Sequence, residues 1–211
     1  MPPNDLRARK APRQARSRET VDALVEAAAQ VFERHGYAAG TTNRIAARAG
    51  VSIGSLYQYF PNKDALLVAL VERHVAEGAA LLGPLAVSLR EQPPPLREGL
   101  QRIVSAMVAL HAERPALHRV LFEEAPRPQE LRHRLDALFA GAVTAVAAWL
   151  RVAPGARVAD PELAAELVVQ VTESVTHNLV IHPAPGRSPE RYAAETVALL
   201  EAYLAAAPPT G

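Results

Sequence analysis

Cysteine is absent from this chain of 211 residues, which excludes disulfides, thiolate metal sites and cysteine nucleophiles. Lysine is nearly absent: Lys10 and Lys63 are the only two, so arginine carries almost all of the basic charge. Long apolar runs are missing as well. The longest stretch of the second half without charge or strong breakers, residues 137–150, is 14 residues, short of the roughly 18–20 that a membrane-crossing helix needs. The first ten residues lack an apolar segment, so no secretory signal is expected. Alternating apolar and polar runs, the mark of half-buried strands, are scarce. A cytoplasmic, all-α protein with no membrane partner is the simplest fit.

What is present divides unevenly. Residues 1–64 hold ten basic and six acidic side chains, for +4, while the rest of the chain carries −3. A basic first quarter on an acidic remainder fits a polyanion contacted at one end, and equally a solvated charged surface.

Helix signals dominate. Ser17 suits an N-cap, and Val21, Leu24, Val25, Ala28, Val31 and Phe32 recur as one helical stripe, closed by Gly36. Thr41 or Thr42 caps a second helix running to about Ala49, Gly50-Val51-Ser52 is a tight turn, and 53–60 is a third, short helix. A long helix starts near Ala65 and is bent or interrupted at Gly83-Pro84. Proline then punctuates the chain into helices from Leu96 to about 113, and over 116–124, 129–151, 161–181 and 189–206. The pattern predicts about nine helices. Residues 1–16 form a basic flexible arm, 17–64 a three-helix unit, and 65–211 a larger helical domain.

The segment 42–60 has the parts of a helix-turn-helix in order: two short helices, a glycine turn, and a second helix fit for the major groove. Ile45, Ala46, Ala49 and Val51 pack the pair, and Leu56 and Phe60 form the buried edge of the second helix. Ile53, Gly54, Ser55 and Gln58 then face outward, with Tyr57 and Tyr59 at the flanks. Gly54 admits close backbone approach, Ser55 and Gln58 can bond base edges, and tyrosine hydroxyls reach phosphates without adding charge. Lys63 and the amides opening the next helix make a phosphate seat. The blander reading is an amphipathic helix pair whose polar side chains meet only water.

The string Gly36-Tyr37, Thr41-Thr42, Ile45-Ala46, Ala49-Gly50-Val51-Ser52, Gly54-Ser55-Leu56-Tyr57, Tyr59-Phe60 and Lys63-Asp64-Ala65-Leu66 resembles the N-terminal domain of the tetracycline-repressor family. The resemblance covers residues 17–67. It implies phosphate contacts from Thr42, Ser52, Tyr57, Tyr59 and Lys63. It implies base reading from Asn43, Ile53, Gly54 and Ser55, with contributions from Arg44 and Gln58. Two positions depart from the pattern: Ile53 stands where many relatives carry a polar residue, and Tyr59 replaces a common histidine. Direct readout by this set is thin, so DNA shape is expected to carry part of the preference. The arm would add phosphate contacts.

The resemblance also implies a repressor that binds a palindromic operator in double-stranded DNA as a homodimer and is released by a small, largely apolar effector. Isolated polar groups on apolar helices are its pocket candidates: Met107, His111, Phe139, Trp149, Thr172, Thr176 and His177. The last two helices are the expected pairing surface. In 161–181 one row holds Leu163, Leu167, Val171, Val175 and Leu179, and another Val168, Thr172 and Thr176, widened by Val169 and Val180. Val197, Leu200, Tyr203 and Leu204 follow in the last helix. His111 with His118, and Glu173 with His177, have helical spacing for metal pairs, but no third ligand is spaced with either pair. No metal site and no cofactor are expected.

An enzyme is the competing class, and nothing supports it: there is no phosphate-cradling P-loop and no G-x-S-x-G elbow, and no spacing assembles base, nucleophile and orienting group. A sequence-neutral architectural DNA-binding protein is the third class.

Overall fold

The computed structural model describes residues 15–112, 114–125, 129–182, 186 and 188–206. Among them are nine α-helices and no strand, as the periodicity predicts. They are α1 (Ala15–Ala39), α2 (Thr42–Ala49), α3 (Ile53–Tyr59), α4 (Lys63–Glu91), α5 (Leu96–Ala112), α6 (Pro115–Arg119), α7 (Gln129–Leu150), α8 (Pro161–Ile181) and α9 (Pro189–Ala205). Residues 1–14 of the expected arm and the Val180 side chain lie outside the described set. No described helix is long and apolar enough to cross a membrane.

Two compact units divide the chain: Met1–Ala76 with Ala116–Leu131, and Glu77–Pro115 with Arg132–Gly211, as far as each is described. In the first, Leu24, Ala28 and Phe32 of α1 are fully buried, as are Ile45, Leu56, Phe60, Leu66 and Leu67. Large side chains such as these contribute about 1.5–3 kcal/mol each on burial. In the second, Leu96, Leu100 and Val104 of α5, Trp149 and Leu150 of α7, Ala165 and Val168 of α8, and Leu200 and Leu204 of α9 make one core.

Gly36 closes the helical stripe as expected: its backbone is non-helical (φ 70°, ψ 170°), and a last helical stretch runs on beyond this kink to Ala39. Three local expectations need correction. Ser17 is not a cap, because helical backbone is already present at Ala15. Gly83-Pro84 does not interrupt α4. Proline there removes one helical N–H, and both residues are exposed, so water can satisfy the carbonyl one turn earlier. Finally, 116–124 is two elements: α6 and a wider π-turn, Val120–Glu124. The π-turn buries Val120 and Leu121 while the Glu124 carboxylate accepts the Tyr37 N–H at 3.2 Å.

Candidate nucleic-acid interface

Local chemistry sets the two crossed helices. The Thr41 hydroxyl caps α2 by accepting from Arg44 N at 3.3 Å, so Thr42 is the first helical residue. Gly50 closes α2 in the left-handed region (φ 70°, ψ 25°), where any other residue is strained. Ser52 caps α3, its hydroxyl accepting from Ser55 N at 3.0 Å. Asn62 caps α4, accepting from Ala65 N at 2.8 Å. Ile45 and Ala46 are buried on α2, and Leu56 and Phe60 on or next to α3, as expected.

The opposite face is open. Asn43, Arg44, Ser52, Ile53, Gly54, Tyr57 and Gln58 are exposed, while Thr42, Ser55, Tyr59 and Lys63 are half-buried. Hydroxyls cluster on this face. Thr42 Oγ1 and the Tyr57 hydroxyl lie 3.2 Å apart, so one phosphate oxygen could accept from both. Ser52 and Ser55 hydroxyls lie 2.9 Å apart. Tyr59 OH accepts from the Ser17 hydroxyl at 3.4 Å, which adds a serine from α1 that no helix-turn-helix spacing would single out. α3 carries no charged side chain.

Lys63 is engaged from within. Its ammonium donates to the Tyr37 and Ala38 carbonyls at 3.0 and 3.3 Å and lies 4.2 Å from the centre of the Tyr37 ring. The Tyr37 hydroxyl donates to Asp64 Oδ1. Burial first, then the hydrogen bond and charge of Asp64, push the phenol well above its usual range. Sequence spacing gave no sign of this Tyr37–Lys63–Asp64 cluster, because it joins the end of α1 to the start of α4. His35 is held below the ordinary imidazole range by desolvation, then by the charges of Arg44 and Arg34, a local mark of positive charge on this unit.

A family model described as bacterial regulatory proteins, tetR family, matches residues 24–70. A second, described as tetracyclin repressor-like, C-terminal domain, matches residues 95–204, more than half of the chain. The chain belongs to the tetracycline-repressor family. Members of the family are helix-turn-helix transcriptional regulators that bind operator DNA and small-molecule effectors as dimers. An HTH-type transcriptional repressor of Streptomyces coelicolor is 32% identical over 111 residues, 52% of each chain. This chain therefore spans about half the length of that relative. The nucleoid occlusion factor SlmA of Shewanella frigidimarina is 26% identical over 166 residues, 78% of each chain. Among solved structures, SmeT, the repressor of the Stenotrophomonas maltophilia multidrug efflux pump SmeDEF, aligns with TM-score 0.64 and 25% identity, covering 91% of this chain and 96% of that one. A TetR-family regulator from Mesorhizobium loti aligns with TM-score 0.72 and 22% identity over 91% and 98%, which shows a shared fold.

The residues expected to line a pocket separate within the second unit. Met107 and His111 lie on α5, and Thr172, Thr176 and His177 on α8, a helix packed on α5. Thr172 and Thr176 are buried; Thr176 donates to the Thr172 carbonyl at 2.7 Å. Thr172 Oγ1 is buried without a hydrogen-bond partner among the described residues. Trp149 is a core anchor: it is fully buried and its indole N–H donates to the Pro94 carbonyl at 3.2 Å. Phe139 is half-buried on α7. A cleft of about 590 Å³ opens between α5 and α9, lined by Arg97, Gln101, Ser105, Val108, Glu190 and Ala194 among others. None of the seven expected residues lines it.

Proposed function

We propose that this chain is a repressor that binds a near-palindromic operator as a homodimer and is released by a small, largely apolar effector. The observation that carries the reading is the exposed α2–α3 face, where Thr42, Ser52, Ser55, Tyr57 and Gly54 offer neutral donors and close backbone approach without a charged side chain on α3. In this reading Thr42, Tyr57, Ser52, Tyr59 and Lys63 hold phosphates, and Asn43, Arg44, Ile53, Gly54, Ser55 and Gln58 face the bases. An Ile53 contact would be apolar, against a thymine methyl. Residues 17–64 act as the DNA head and 65–211 as the sensing and pairing domain, in the cytoplasm.

The homodimer is supported by α8 and α9, where Leu163, Leu167, Leu199 and Tyr203 are 40–61% exposed. Effector capture is assigned to the α5–α8 region, where Thr172 carries a buried hydroxyl without a partner. Release requires only that the effector bind the DNA-incompetent arrangement better than the competent one.

Selecting fragments of the source genome on the full chain, then competing the recovered fragment against random DNA, tests the reading. A preference of about 10³ or more at physiological salt supports an operator. A ratio near unity would replace the regulator with an architectural DNA-binding protein.

A further inference from the structure

We propose that α5 and α8 hold a site for a divalent transition-metal ion built from His111, Glu173 and His177, with Zn²⁺ as the reference occupant. His111 is 1% exposed, and its Nδ1 lies 2.8 Å from the Met107 carbonyl oxygen. A carbonyl can only accept, so Nδ1 carries the hydrogen and a neutral ring presents its lone pair at Nε2. Fixing one ring nitrogen on a backbone carbonyl is how proteins orient a metal-binding imidazole. Nε2 lies 3.6 Å from Glu173 Oε1. An imidazole lone pair and a carboxylate oxygen facing each other are two donors that one metal ion can bridge.

The third ligand comes from helical spacing. Glu173 and His177 are four apart on α8 and share one face. A ring nitrogen of His177 lies within 4.8 Å of one on His111, the two rings meeting edge to face with centroids 6.1 Å apart. Tetrahedral zinc, with Zn–N and Zn–O of about 2.0–2.2 Å, sets neighbouring ligand atoms about 3.3–3.5 Å apart. His111 and Glu173 already stand close to that separation. His177, with its nitrogen already within 4.8 Å of that of His111, would complete the set by a side-chain rotation. Two imidazoles and one carboxylate, without thiolate, favour zinc, nickel or cobalt over magnesium or calcium. Three protein ligands also leave a fourth position open.

The site goes beyond the operator reading and is tested without DNA. The full chain, stripped with chelator, is titrated with Co²⁺ as an optical reporter and then with competing Zn²⁺. One ion per chain is expected, with a tetrahedral cobalt spectrum that zinc displaces. Glu173→Gln and His177→Ala should each weaken binding at least about tenfold, while His133→Ala, on exposed α7 surface, leaves it unchanged. Circular dichroism confirms folding, and these α8 variants avoid removing the buried His111. No uptake, or uptake equally strong in both folded variants, overturns the proposal.

Discussion

Ser52 and Ser55 differ by three positions, yet their hydroxyls do different work. Ser52 Oγ accepts the Ser55 N–H and caps α3, whereas the Ser55 hydroxyl only meets Ser52 Oγ and the surface. Ser52→Ala should therefore lower the stability of the folded chain by about 1 kcal/mol, as cap removal does, visible in urea unfolding. Ser55→Ala should leave stability unchanged and shift preference at one operator position; an equal loss on every operator variant would count against base reading there. Tyr37 supplies a residue-scale dependence on pH. Its phenol holds its proton more tightly folded than unfolded, where it titrates near 10.0. The stabilisation is thus full below pH 10 and is lost as pH rises above it, since the native state binds more protons there. Alkaline unfolding curves should show this loss, and Tyr37→Phe should abolish it. An unchanged alkaline slope in that variant would refute the assignment. The Thr41 cap of α2 was readable from sequence because it spans three residues, whereas Ser52 was read only as part of the turn; the Tyr37–Asp64 bond spans 27 and has no local signature.

Helices obey their own arithmetic. The α1 stripe and the buried edge of α2–α3 were legible because a period of 3.6 decides which side chains share a face before any partner is known. Contacts between helices were not. Trp149 looked like a pocket residue because its indole N–H is an isolated polar group on an apolar helix. Packing instead seats it against α5, where a Cβ added at Gly99 would lie 2.0 Å from its ring. Gly99→Ala should therefore overpack this contact and destabilise the chain by about 1–3 kcal/mol, with a changed Trp149 fluorescence maximum. Unaltered stability would mean that α5 and α7 part easily. Leu200 and Leu204 show the same limit: expected at the pairing surface, both are buried against the chain's own core.

Across the whole molecule, α8 divides its apolar girth into two jobs. Val168, Thr172 and Thr176 turn inward and are buried, while Leu163 and Leu167 stay exposed, with Leu199 and Tyr203 of α9. Placing charge on these leucines removes the apolar surface available for pairing without touching the core. Leu163→Lys combined with Leu199→Lys should give a helical monomer by sedimentation equilibrium and a marked loss of operator affinity. A retained dimer mass would move the pairing surface elsewhere.

Periodicity, caps and proline placement were enough to specify the all-helical class, nearly every helix boundary and the motif that marks the family, because each depends on neighbours within one or two turns. Three matters depended on which helices lie side by side: the carbonyls that hold Lys63, the side of α8 left exposed among the described residues, and the meeting of His111 with Glu173 and His177. The same resemblance that placed Lys63 at a phosphate could not show that two carbonyls take two of its ammonium's three donors. Side chains far apart in sequence acquire defined distances only when burial brings their helices together. The chemistry those distances allow is therefore a property of the packed chain.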